Sequence, residues 1–309
     1  MKTGSANHDR ILASAREWAG APMALATVIE TWRSAPCPVG THMLVHADGR
    51  FVGSVSGGCV EGDVLQVAAE VIAGAPSALR RYGVANGSAW EVGLPCGGDI
   101  VVLVQPVSDV GFPPRLFGEI IKAREAGRTL IVGTDLSTGF SSLSETAAFI
   151  NLYLPPRRLL IIGAVEIASS LAAIAGSLGC LVTLCDPRCR FLTGERFPGV
   201  ALDDRWPDEA VVAFAPGNRS AVVTLSHDPK IDDPALIAAL SSPAAYIAAL
   251  GSKASHAARL ARLASAGVSV NNLARIEGPA GVAINAISAP EIALSIAGGM
   301  IKAFNDGLR

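Results

Sequence analysis

Aromatic residues make up only 5% of this 309-residue chain. Lys and Arg (25) do not exceed Asp and Glu (27), the net charge is −2, and no run of basic residues occurs. With few rings to stack on bases and no positive patch for phosphates, the composition argues against nucleic-acid binding. Charged residues are only 17% against 50% hydrophobic, so the chain also lacks the polar bias of intrinsic disorder. What it has is 32 Gly and 19 Pro, the mark of a compact, turn-rich protein. At about 100–200 residues per domain, the length suggests two domains.

Several common signatures are missing. His8, Asp9, Arg10, Arg16 and Glu17 occupy the N-terminal region where a signal peptide would carry an unbroken apolar stretch, so the start does not read as one. Of the six cysteines (Cys37, Cys59, Cys96, Cys180, Cys185, Cys189), no two have C-x-x-C spacing, which removes the usual zinc reading. They read as reduced thiols and the protein as cytoplasmic. No membrane span is expected. The uncharged stretch Ile167–Cys185 contains Ser169, Ser170, Gly176, Ser177 and Gly179, and reads as a helix, a turn and a buried strand. There is no G-x-S-x-G elbow, H-E-x-x-H pair or Walker loop.

The expected fold class is α/β, a mixed α/β domain followed by a Rossmann-like parallel-sheet domain. In the first half, a helix is expected over 9–20 and strands at Leu25–Ile29, Met43–His46 and Phe51–Val55, with a hairpin turn at Asp48-Gly49. A helix to about Ile72 follows, then short strands over 80–105, a helix near 115–126 and a strand at Thr129–Val132. Residues 134–156 are of mixed pattern and end in Pro155-Pro156, which break sheet and helix alike. The domains are therefore placed at 1–154 and 157–309. Beyond the prolines, apolar runs at 158–162, 181–185, 221–225 and 245–250 alternate with helical patterns, as in parallel βαβ units.

A strand, a glycine turn, a helix and a second strand ending in Asp is the dinucleotide-binding layout. Here the turn reads Gly163-Ala-Val-Glu-Ile-Ala168, and Asp186 stands where a ribose diol would be held. Val165 fills the position that normally lacks a side chain so that a pyrophosphate can approach. Glu166 adds negative charge at the helix start, favourable to the dipole but repulsive to phosphate. Two readings stay open: a scaffold that binds no ordinary nucleotide, or NAD(P) or FAD bound in an altered pose, weakened by Val165.

Two thiols sit on glycine turns in the first half. Cys59 follows Gly57 and Gly58 just before a helix, and Cys96 precedes Gly97 and Gly98. Thiolates are soft metal ligands, and a helix start favours them. Small residues filling tight turns is the plainer alternative. Cys37, between two prolines, is a third candidate, whereas Cys180, Cys185 and Cys189 read as core or incidental. His227, in Ser226-His-Asp-Pro229, follows a strand end where α/β sheets bind ligands.

These segments, together with Ser34-Ala-Pro-Cys-Pro-Val-Gly40, Gly53-Ser-Val-Ser-Gly-Gly-Cys-Val-Glu61, Cys185-Asp-Pro-Arg188, Glu195-Arg-Phe-Pro198 and Tyr246-Ile-Ala-Ala-Leu-Gly-Ser252, give the chain its likeness. It resembles the XdhC/CoxI family over about residues 10–305. The resemblance implies an accessory chaperone that binds the molybdenum cofactor, as molybdopterin or its dinucleotide form, supports its sulfuration by a cysteine desulfurase, and delivers it to an apo molybdenum hydroxylase. The chain would carry rather than catalyse, as a homodimer. The resemblance further implies that Cys59 and Cys96 contact molybdenum or its sulfur with Glu61 nearby, and that the glycines admit the pterin and offer backbone N–H groups to its phosphate. The second domain would present a docking surface or hold a nucleotide.

The chain departs from the family where Glu166 and Glu277 replace two histidines, and where Cys37 replaces a common arginine. The two glutamates are candidates for an altered site, as ligands or as a proton-sharing pair, against the alternative that the ancestral site is lost. Two other readings remain: an oxidoreductase on the second domain, and a non-catalytic adaptor that recruits desulfurase or client.

Overall fold

The computed structural model describes residues 5–33, 35, 37–83 and 98–307. Cys96 and Gly97 therefore lie outside the described residues. The chain divides into two compact units, Met1–Pro155 and Pro156–Arg309. No helix among the described residues is long and apolar enough to cross a membrane.

The first unit runs α1 (Ser5–Glu17), β1 (Met23–Trp32), β2 (His42–His46), β3 (Phe51–Gly53), α2 (Glu61–Ile72), β4 (Ala78–Tyr82) and β5 (Asp99–Pro106). It continues through α3 (Arg115–Glu125), β6 (Leu130–Asp135), β7 (Phe140–Ser142) and β8 (Phe149–Tyr153). An antiparallel sheet has the order β3-β2-β1-β5-β4, and a smaller one the order β7-β6-β8. Side chains alternate across a strand, and β1 uses both faces. Ala24, Ala26 and Val28 pack beneath α2, against its Val64, Val67, Ala68 and Val71. Met23 and Leu25 join Ile11, Leu12 and Ala15 of α1 and Leu116 and Ile120 of α3. The apolar spacing of α2 presents one helix stripe to the sheet, and this fixes the loop before it.

A polar knot lies within this unit. His42 Nδ1 is 2.9 Å from Thr27 Oγ1, and its Nε2 meets Asn151 Nδ2 at 3.0 Å and Tyr153 Oη at 2.9 Å. His8 of α1 lies tilted against both the His42 and Tyr153 rings and approaches the Gly40 carbonyl through Nε2 at 3.2 Å.

The second unit runs β9 (Arg157–Ile162), α4 (Glu166–Ser177), β10 (Cys180–Cys185), β11 (Ala201–Asp203), α5 (Pro207–Phe214) and β12 (Ser220–Thr224). After them come α6 (Pro229–Leu240), β13 (Tyr246–Ala249), α7 (Lys253–Ser265), α8 (Val270–Leu273), β14 (Ile276–Glu277) and α9 (Ala289–Asp306). The sheet is parallel, with order β11-β10-β9-β12-β13-β14. Counted along the unit, this is 3-2-1-4-5-6, the Rossmann order, with its switch point between the ends of β9 and β12. Leu159 and Ile161 face α4 and α9, while Leu160 and Ile162 face α5 and α6. Both faces are covered, so the strands read as continuous apolar runs.

Candidate functional site

The segment Ser54–Val60 links β3 to α2 and carries Cys59. Gly57 (φ 76°) and Gly58 (φ 121°) take conformations that L side chains rarely adopt. These turns fold the segment around the carboxylate of Glu61, the first residue of α2, which is buried. Its Oε1 accepts from the amides of Val55 (3.1 Å) and Ser56 (2.9 Å) and from the Ser54 hydroxyl. Its Oε2 accepts from the Ser56 hydroxyl (2.5 Å) and the amides of Gly58 (2.9 Å) and Val60 (3.2 Å). Burial pushes this carboxyl upward, but the bonds from Ser54 and Ser56 outweigh it and bring its pKa to about 2.

The remaining amides between Val55 and Val60 are also satisfied. Gly57 N donates to Ser54 Oγ at 2.8 Å and Cys59 N to Ser56 Oγ at 2.9 Å. Successive N–H groups of this kind form a nest for an anion. Here the anion is the chain's own Glu61. This corrects the expectation that the glycine turn offers its N–H groups to a phosphate: from Val55 to Val60 each amide already has an acceptor. Glu61 is likewise an internal clamp, with both oxygens turned into the loop. What the loop presents outward is Cys59, which is exposed. Apart from its chain neighbours, no described atom lies within 4 Å of where a Gly58 side chain would begin.

Cys37 is half-buried and approaches the Ser54 carbonyl through Sγ at 3.8 Å. Burial and the nearby Glu61 charge push its thiol up. Gly98 is described and buried, immediately before β5. Among the described residues, no group of three or more His, Cys, Asp or Glu side chains is placed to hold a metal ion.

In the second unit, other carboxylates do a similar job. Asp186, at the end of β10, is fully buried. It accepts from the amide of Ala164 (2.8 Å), and from Arg188 through its amide (2.9 Å), Nε (2.9 Å) and Nη2 (2.7 Å). Burial raises this carboxyl and the Arg188 and Ala164 bonds more than reverse it, so its pKa lies below the usual range. Asp186 thus occupies the predicted position, but its oxygens are committed within the chain. Gly163, at φ 105°, is packed so closely that an added Cβ would lie 2.8 Å from the Ser226 amide nitrogen.

His227 is exposed, at φ 63°. Its loop is held from below by buried Asp232, whose Oδ1 accepts from Ser226 Oγ at 2.7 Å. Asp232 lies 3.7 Å from Arg259, also buried. Sequence reading missed Asp232 and Arg259. A buried acid in the first turn of α6 and a buried base on α7 leave no local motif to find them by.

Glu277 accepts from the Tyr246 hydroxyl (2.5 Å) and the Gly281 amide (2.7 Å), both through Oε1, and so ties the turn after β14 to β13. Among the described residues, no hydrogen bond joins it to Glu166, which is exposed in the first turn of α4. The expected proton-sharing pair therefore has no contact to support it. Glu277 clamps a turn instead.

Comparison with known proteins follows this division. A family model described as the XdhC and CoxI family matches residues 18–83, which hold Cys37, Cys59 and Glu61. A model of the XdhC Rossmann domain matches residues 159–300, which hold Asp186, His227 and Glu277. The molybdenum cofactor insertion chaperone PaoD of Escherichia coli is 39% identical over 99 residues, 31% of this chain and 30% of that protein. The uncharacterized protein YqeB of Escherichia coli is 25% identical over 92% of this chain and 44% of its own length. A probable xanthine dehydrogenase subunit of Bacillus subtilis is 26% identical over 66% of this chain and 71% of its own length. The matches thus span less than half of the first two relatives. A solved structure described as a xanthine dehydrogenase from Bacillus halodurans covers 97% of this chain and 96% of its own, at 24% identity and a TM-score of 0.82, a likeness of fold. With the glycine–cysteine loop in one matched stretch and the parallel sheet in the other, the chain belongs to the XdhC and CoxI family.

Proposed function

We propose that this protein is a maturation factor for a molybdenum hydroxylase, and that it carries the molybdenum cofactor as cargo on the Cys59 loop. The observation that carries this reading is the loop itself. Its glycines and the Glu61 clamp spend every amide from Val55 to Val60 internally and leave one soft nucleophile, Cys59, exposed. A thiolate suits a molybdenum–sulfur centre, and rigid backbone support suits a group that must be held and then released. The loop thus grips its cargo through sulfur, and the pterin phosphate is held by other groups. Similarity to PaoD, an insertion chaperone by its name, supports the same reading.

The fuller proposal includes a second contact from Cys96, support for sulfuration by a cysteine desulfurase, and delivery to the apo-hydroxylase by a homodimer in the cytoplasm. Cofactor can be supplied to an apo molybdenum hydroxylase with and without this protein, and hydroxylase activity followed. The proposal expects activation to accelerate with the wild type and not with Cys59→Ala. Equal activation by wild type, Cys59→Ala and buffer would reject it.

A further inference from the structure

The second unit has the strand order of a dinucleotide-binding domain, with the glycine turn after β9 and an acid after β10 in the expected places. Such a site needs two things. The backbone of the turn must be open to a pyrophosphate, and the acid at the end of the second strand must have a free oxygen for a ribose hydroxyl. Neither condition is met.

The Asp186 carboxylate receives four donors, two on each oxygen. Oδ1 takes the Arg188 amide and Nε, and Oδ2 takes Arg188 Nη2 and the Ala164 amide. The guanidinium of Arg188 lies beside this carboxylate, and a ribose diol could bond Asp186 only by displacing it. One amide of the glycine turn, that of Ala164, is spent on the same acid. The next residue, Val165, carries a branched side chain where the fingerprint requires none, and that side chain is only partly buried against the core, so part of it stays at the surface of the turn. Glu166 then sets a carboxylate in the first turn of the helix whose N-terminus would face the phosphates.

We infer that the dinucleotide crevice of the second unit is occupied by the chain itself, with the Asp186–Arg188 pair in the ribose position and Val165 closing the turn. NAD(P) and FAD do not fit it in the ordinary pose. The Rossmann architecture serves as scaffold, and its anion-binding turn is satisfied by an internal acid just as the Cys59 loop is satisfied by Glu61.

NADH and FAD binding to the full chain tests this, read by nucleotide fluorescence and by thermal shift. The wild type is expected to show no saturable binding below about 1 mM, where binding is weaker than about −4 kcal/mol. The double variant Val165→Gly/Arg188→Ala uncovers the turn and the Asp186 oxygens, and is expected to gain a saturable signal that Asp186→Asn removes again. Circular dichroism would confirm that the variants are folded. Saturable binding by the wild type that is lost in Asp186→Asn would overturn the inference. Failure of the folded double variant to gain binding would overturn the assignment of these residues as the closure. Either result is independent of whether Cys59 carries a molybdenum cargo.

Discussion

The Ser56 hydroxyl donates to Glu61 Oε2 at 2.5 Å, and the Ser56 oxygen in turn accepts the amides of Cys59 at 2.9 Å and Val60 at 3.0 Å. Through Ser56, the buried carboxylate of Glu61 fixes the backbone that bears the exposed thiol. A buried acid satisfied by several donors is rigid, because breaking any one bond leaves a polar group without a partner. The cysteine is positioned from beneath, by residues whose polar atoms are spent within the loop.

Replacing Glu61 with Ala removes the acceptor for four amides and two hydroxyls. The expected loss is about 2–3 kcal/mol in urea unfolding, since bonds to a charged group are the strong ones. A loss below about 0.5 kcal/mol would show that water replaces the clamp at no cost.

Acid should act through the same residue. The Glu61 carboxyl falls from an ordinary 4.5 to about 2 on folding. A depressed acid stabilises the fold above its unfolded pKa, and that stability is lost as pH falls from about 4.5 toward 2. Glu61→Gln should flatten the stability profile in this window. A variant profile parallel to the wild type's would contradict the assignment.

The histidine knot gives the opposite kind of group in a neighbouring window. Burial pushes His8 down from 6.5 to about 4, against the Gly40 bond, and pushes His42 well below 6.5. A base whose folded pKa is depressed binds fewer protons folded than unfolded, so stability falls as pH drops from about 6.5 to 4. Melting of the wild type should show this slope, and His8→Gln should reduce it. An unchanged slope in the variant would place the titration elsewhere.

Thiol reactivity should separate the cysteines. Cys59 is exposed, whereas Cys185 is fully buried and pushed up to about 12 by burial and the charges of Asp203 and Asp186. Under native conditions Cys59 should be alkylated at least about ten-fold faster than Cys185, as mass spectrometry of the digested protein would show. Comparable rates would mean that the loop does not present the thiol as described.

Much of the fold is legible in the sequence. The stripe Val64, Val67, Ala68, Val71 marks α2, and the apolar run through Ile162 marks a strand covered on both faces. Most elements that the sequence does not reveal are short, although α9, at 18 residues the longest helix described, is one of them. β11 has three residues with little burial, α5 begins at a proline, and β7 and β8 fall in a stretch whose alternation is too brief to separate from loop. The site was legible as a motif but not as a mechanism. Gly57, Gly58, Cys59 and Glu61 stand out as residue types, yet nothing in residue type says that the loop's amides turn inward onto Glu61. The same holds for Asp186, whose sequence position suggests a ribose ligand. Arg188, two residues on, takes that carboxylate because the chain turns sharply after β10.

On the proposed function, Cys59, held by the Glu61 clamp, is what grips the cargo. Anaerobic co-elution with the molybdenum cofactor tests it most directly, with molybdenum and pterin quantified in the protein peak for wild type, Cys59→Ala and Glu61→Gln. The wild type is expected to retain both, folded Cys59→Ala neither, and Glu61→Gln less than the wild type. Retention by Cys59→Ala equal to that of the wild type would contradict it.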